Sequence, residues 1–199
     1  DLDKQLDNNL TILETTQLEA LMQLQKKYKI VAISENRDYT PYAKNRELET
    51  AVFCTQHEIT YIVTEDVYLT NPGQVLNKSG KPYQKFTPFY DVAKTHTISI
   101  PKHAPNLNKL YKPSFSKSIP TPKKNPLIHV KGGSAEAAQL LKLLPKIDYS
   151  KTHDIPSMAT SNLSAHNHFG TVSIREVYHS TENTEFRRQL FWRDFYGHI

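Results

Sequence analysis

IVAISENRDYTPYAKNRELETAVFCTQHEITYIV (Ile30–Val63) decides the fold. It opens on IVAIS (Ile30–Ser34) and closes on ITYIV (Ile59–Val63), two apolar, β-branched runs suited to buried parallel strands. Between them Thr40 offers a side-chain oxygen as a helix N-cap. Pro41 takes the first helical position, where a missing N–H costs nothing, so a helix is expected to about His57. Parallel strands need a crossover, usually a helix, so the helix and a parallel sheet imply each other.

Upstream, LTIL (Leu10–Leu13) is a short apolar run, and TQLEALMQLQKKYK follows with Thr16 and Glu19 spaced as a capping box. Leu18, Leu21 and Leu24 keep a helical period there. The resulting β-α-β-α-β order argues for a Rossmann-like parallel-sheet domain over residues 1–100. No glycine-rich phosphate loop follows any of its strands, so dinucleotide binding in this half lacks direct support.

The texture changes at Pro101. Six prolines (Pro101, Pro105, Pro113, Pro120, Pro122 and Pro126) preclude regular structure and make 101–131 a Pro/Lys-rich linker. No acid lies between Asp91 and Glu136, whereas Lys94, Lys102, Lys109, Lys112, Lys117, Lys123, Lys124 and Lys131 do. Such a stretch suits non-specific phosphate contact, and equally suits a solvated tether. Residues 132–199 are then helical. AEAAQLLKLL (Ala135–Leu144) is a strong helix former stopped near Pro145, Ser173 and Glu176 form a second capping box, and the last helix runs to the final residue.

Composition narrows the classes. The single cysteine, Cys54, excludes an internal disulfide framework and fits a reducing, intracellular compartment. No apolar run is long enough to cross a membrane. The first residue is Asp and the last lies inside a helical pattern, so an internal fragment, or one part of a split protein, is expected. His166 and His168 are two apart and point to different sides of a helix, without a cysteine pair nearby, so no metal site is expected. No strained G-x-S-x-G turn marks a nucleophile, and Cys54 has only His57 near it in sequence.

Two stretches carry the chemistry. TSNLS (Thr160–Ser164) packs three hydroxyls and an amide into five residues, which suits either an anion site or ordinary helix capping. On the last helix Phe186, Gln189, Trp192, Arg193 and Tyr196 share an arc of roughly 120°. Phe191 and Phe195 point elsewhere as a separate apolar strip. The mixed face suits a flat polar ligand; it also suits a core aromatic pair with Arg193 in an ion pair.

NRDYTPYAKNRELE (Asn36–Glu49), GKPYQKFTPFY (Gly80–Tyr90), TSNLSAHNHFGTVSIREVYH (Thr160–His179) and QLFWRDFY (Gln189–Tyr196) occur in that order. Together they resemble the DNA photolyase/cryptochrome family. The resemblance implies an α/β domain joined to the start of an all-α FAD-binding domain. The family's first strands would lie upstream of Asp1 and most of its flavin domain downstream of Ile199.

The implied function is light-driven repair of DNA, in which excited reduced FAD splits cyclobutane pyrimidine dimers by electron transfer. No catalytic side chain is implied, and the chain alone is expected to be inactive. The implied cofactors are FAD and an antenna chromophore of unidentified kind; the implied partners are dimer-containing DNA and a second chain completing the FAD domain. By the same resemblance Tyr149, Thr160, Ser161, Asn162, Leu163, Ser164, Phe186 and Arg193 contact the cofactor. Gln189, Trp192, Tyr196 and His153 contact the lesion or DNA. This chain departs from the family at Gln189 (often Glu), Phe186 (Trp), His153 (Arg), Asn162 (Arg, Lys or Gly), Ala165 (Pro) and Asn167 (Leu). A cryptochrome-like photoreceptor and a degenerate non-catalytic fragment are the alternative readings.

Overall fold

The computed structural model describes residues 2–101, 110, 111, 117 and 125–199. Its elements are α1 (Leu2–Gln5), α2 (Gln17–Lys27), β1 (Ala32–Asn36), α3 (Pro41–Gln56), β2 (Thr60–Thr64), α4 (Phe86–Ala93), α5 (Ser134–Leu143), α6 (Tyr149–Thr152), α7 (Ser164–Phe169), α8 (Ile174–His179) and α9 (Thr184–His198). The described residues form two compact units, one of 2–66 with 110, 111 and 117 and one of 67–101 with 125–199. The second unit thus brings 67–101 together with the helical residues 125–199.

In the first unit β1 and β2 pair in parallel, Ala32 opposite Thr60 through Asn36 opposite Thr64. Helix α3 makes the crossover, capped by the Thr40 hydroxyl on the Ala43 N–H with Pro41 in its first turn. The α2 capping box is reciprocal: Thr16 Oγ1 accepts from the Glu19 N–H, and Glu19 Oε2 from the Thr16 N–H. Phe53, Cys54 and Ile59 are the buried centre, with Leu18, Leu21, Ile33 and Tyr61 packed on it. This is the α/β half of the fold.

The expected first strand does not form. Leu10–Leu13 carries no strand, and its Leu10 N–H binds Asp3 Oδ1 while the Ile12 carbonyl accepts from the Lys117 N–H. A side-chain carboxylate on the Leu10 N–H takes a donor that a strand would give to a ladder.

The second unit is helical. Helix α9 is capped by Asn183 Oδ1 on the Phe186 N–H and packs chiefly on α4. Phe191 and Phe195, expected as a separate strip, are buried there with Phe86, Phe89 and Leu190. Burial of such rings is the main source of stability, about 25 cal/mol per Å² of apolar surface. Ser173 caps α8 by accepting from the Arg175 N–H.

Most linker residues, including Lys102, Lys109, Lys112, Lys123, Lys124, Pro105, Pro113, Pro120 and Pro122, lie outside the described residues. Of the lysines described, Lys94 pairs with Asp91 at 2.7 Å and Lys117 with Glu14 at 2.9 Å. Among the described residues no helix is long and apolar enough to cross a membrane.

Candidate functional site

A cavity of about 410 Å³ opens in the helical unit, lined by Tyr149, Ser161, Ser164, Asn167, His168, Phe186, Gln189, Leu190 and Arg193. Its walls come from α6, the segment before α7, α7 itself and α9. It holds six of the residues singled out from the sequence: Tyr149, Ser161, Ser164, Phe186, Gln189 and Arg193.

Each wall has a local cause. Tyr149 sets its ring edge-on to Phe186, centroids 5.0 Å apart and planes at 82°. Burial pushes its phenol pKa up, with the charge of Asp154 adding to that. Asn162 holds a left-handed φ of 53°, an angle that asparagine tolerates better than most residues. This bend lets the TSNLS backbone turn so that Leu163 drops into the core while Ser161 and Ser164 stay at the cavity. Helix α7 begins after Leu163, which makes no side-chain cap, and Ser161 Oγ accepts from the Leu163 N–H at 3.4 Å.

On α9 the cavity takes Phe186, Gln189, Leu190 and Arg193, an arc of about 100° at 100° per residue. Trp192 and Tyr196, at the far edge of the expected mixed face, do not line it. The Trp192 indole lies flat on Phe86 of α4, centroids 3.7 Å apart and planes at 8°. Tyr196 stacks on Trp192 at 5.7 Å and is two-thirds exposed. The mixed face is therefore split, one part facing the cavity and one part continuing the aromatic packing against α4.

His153 stays with its own helix. Its Nδ1 pairs with the Tyr149 carbonyl at 2.8 Å, its ring stacks on Tyr149, and its Nε2 lies 3.2 Å from Asp154. Thr160, Asn162 and Leu163 flank the cavity in sequence without lining it. Asn167 and His168 do line it, and neither was a candidate in the sequence. The cue at Asn167 was a polar residue where apolar packing is the rule. Its Oδ1 is buried with no hydrogen-bond partner.

The cavity's cation is anchored from behind. Arg193 Nη1 donates to the Val67 carbonyl at 2.6 Å, and its guanidinium sits 5.2 Å over the Tyr68 ring. Next to it Asp194 is fully buried, and burial pushes its carboxyl up to about 6 despite hydrogen bonds from Thr70 and Leu69 and the charge of Arg193. Taken together, the lining offers two serine hydroxyls, a phenol, two amides, an imidazole, a guanidinium and the Phe186 ring on one concave wall. That donor set matches an anionic, partly aromatic ligand.

Comparison with known proteins gives the frame. The DNA photolyase family profile matches residues 1–108. A deoxyribodipyrimidine photo-lyase of Alkalihalophilus pseudofirmus is 30% identical over 188 residues, covering 84% of this chain and 39% of that protein. One from Synechococcus is 24% identical and covers 98% of this chain and 47% of its own length. Among solved structures, an archaeal photolyase from Sulfolobus tokodaii with two FAD molecules superposes with a TM-score of 0.75 at 26% identity, over 98% of this chain and 44% of that one. A class III photolyase from Agrobacterium tumefaciens reaches 0.79 at 22% identity, over 92% and 43%, which speaks to the fold. The chain thus spans about two fifths of the length of these relatives, and it belongs to the DNA photolyase family.

Proposed function

We propose that this chain supplies one wall of the flavin and lesion site of a light-driven pyrimidine-dimer photolyase. The carrying observation is the single cavity that gathers Tyr149, Ser161, Ser164, Phe186, Gln189 and Arg193 from three separate stretches of chain. All six are positions to which the family resemblance gives a cofactor or lesion contact.

The residues present fit part of FAD. The hydroxyls of Ser161 and Ser164 and the guanidinium of Arg193 suit its diphosphate, and the guanidinium is matched to phosphate in shape as well as charge. Phe186, braced by Tyr149, gives an apolar wall for an aromatic ring. The orphaned Oδ1 of Asn167 marks a polar lining that has spare hydrogen-bonding capacity. Bound and reduced, the cofactor supplies a light-driven electron to the dimer. The chain's own work is to hold, orient and dry the site. Gln189 has an amide suited to the edges of the flipped bases, and flipping costs a few kcal/mol, less for a lesion already badly stacked. Phe86 fixes the plane of the Trp192 indole, which suits stacking on a base beside the cavity.

The test is illumination of a thymine-dimer oligonucleotide with reduced FAD and the chain, alone and mixed with the carboxy-terminal remainder of the Alkalihalophilus relative. Restored thymines in the mixture, lost on Gln189→Ala, are the expected result. No restoration in any combination refutes the proposal. One observation favours a second reading, a photoreceptor without repair: Phe86 already occupies a face of Trp192. Flavin photoreduction with no loss of dimers would select it.

A further inference from the structure

Helix α9 meets the segment Val67–Thr70 through four residues of its last two turns. Asp194 accepts two hydrogen bonds on one carboxylate oxygen, from the Thr70 N–H at 2.7 Å and the Thr70 hydroxyl at 3.1 Å. His198 Nε2 donates to the Thr70 carbonyl at 2.9 Å. Gly197 lies so close under Tyr68 that a Cβ there would fall 2.4 Å from the ring. Arg193 completes the set through the Val67 carbonyl and the Tyr68 ring face. Of these four, only Arg193 also lines the cavity.

We propose that Asp194 is a positioning residue for the cavity's cation. It clamps Val67–Thr70 to α9, and that segment, through the Val67 carbonyl and the Tyr68 ring, fixes the Arg193 guanidinium at the ligand wall. A long arginine side chain loses much rotamer freedom when it binds. A guanidinium already held in place leaves less to lose, which is the advantage of preorganisation. A wholly apolar residue at 194 would fill the space but leave the Thr70 N–H unpaired inside the protein, and the segment would lose its anchor. The inference rests on the flavin reading only for the identity of the ligand.

The experiment uses the full chain with Asp194→Ala, Asp194→Asn, Arg193→Gln and the Asp194→Ala/Arg193→Gln double variant. Two signals are read: the NMR resonances of the Arg193 guanidinium without ligand, and the affinity for FAD by titration. In Asp194→Ala the Arg193 signals should move to the position and fast exchange of a free arginine. Asp194→Asn keeps an oxygen for Thr70 and should leave them near their native place. FAD affinity should fall about tenfold in Asp194→Ala and in Arg193→Gln, with little further loss in the double variant, because each removes the same held cation. A merely structural Asp194 gives losses that multiply, and that outcome overturns the proposal. So does an Arg193 signal unmoved in Asp194→Ala. If that variant fails to fold, Thr70→Val removes only the hydroxyl bond and should show the same shift at smaller size. A chain that binds no FAD while its Arg193 signal follows Asp194 refutes the flavin reading and upholds the positioning.

Discussion

Replacing Asp194 by Asn should change how the protein's stability depends on pH, with a sign that the structure sets. The carboxyl is fully buried, and desolvation raises it from 3.8 to about 6. In the unfolded chain the group ionises near its ordinary value, so between about pH 4 and pH 6 the folded state binds more protons than the unfolded one. Stability from this group is therefore fully present below about pH 4 and is lost as pH rises through about 6. The shift corresponds to about 3 kcal/mol. His198, on the same segment, runs the other way: burial lowers its pKa, so its contribution falls as pH drops through the range below its ordinary value. Both variants share His198, and taking the difference between native and Asn chains removes it to first order.

Asn cannot titrate, yet its carbonyl oxygen can accept from the Thr70 N–H and hydroxyl as the carboxylate does. At pH 7 the Asn variant should match or exceed the native chain, because it buries no charge. Moving from pH 7 to pH 4 should then shift the difference by about 3 kcal/mol in favour of the native chain, roughly 6–12 °C in melting temperature for a chain this long. Thermal melts followed by circular dichroism across pH 4–7 measure it. Parallel curves for the two chains over that range would refute the reasoning, since they would mean that Asp194 ionises in the folded protein as it does in water.

Three further outcomes follow from the packing. Phe86→Ala removes the ring under Trp192, should cost about 3–5 kcal/mol, and should shift the emission of the single tryptophan to the red as water reaches it. On the proposed function, Trp192→Ala should weaken binding of dimer-containing DNA by about 1–3 kcal/mol while undamaged duplex, held by its phosphates, binds nearly as before; equal weakening in filter binding would leave Trp192 as packing alone. The chain purified by itself should carry less than one flavin per molecule, because only α6, α7, α9 and the TSNLS segment wall the cavity, and ligand pockets normally bury most of their ligand. An absorbance spectrum with a full flavin band would sink that expectation.

What was legible in the sequence was local. The Thr16–Glu19 box, the Thr40–Pro41 helix start and the two β-branched runs each declare themselves within a few residues, and they give the parallel sheet and its crossover as observed. Phe186, Gln189 and Arg193 were legible as one group because a helix fixes which side chains share a face, whereas Leu190 was missed and Trp192 and Tyr196 stand outside the cavity. The failures mark where that information stops. Leu10–Leu13 has a strand's composition, yet it is not a strand in the folded chain, where the Leu10 N–H is bound by the Asp3 side chain. Phe191 and Phe195 were separable from Trp192 on a helical wheel, but α4 brings Phe86 and Phe89 against both groups at once. The Asp194–Thr70 bonds join residues 124 apart, and neither end carries a pattern that names the other.

Those bonds also bear on why the carboxylate is there. A fully buried charge without a close, well-bonded counter-ion weakens a fold at neutral pH, and an amide or apolar residue of similar size commonly costs less. Arg193 stands 3.9 Å away, too far for a strong pair, and spends its shorter bond on the Val67 carbonyl. Asp194 is thus poorly explained as a stabiliser. What it does provide is a doubly bonded anchor for Thr70, and so for the segment whose Val67 carbonyl and Tyr68 ring hold the guanidinium. That anchoring acts on the Arg193 guanidinium at the cavity wall. The energetic cost falls on the fold, and the benefit falls on the geometry of the site, which is the pattern expected where a residue is kept for positioning a ligand contact.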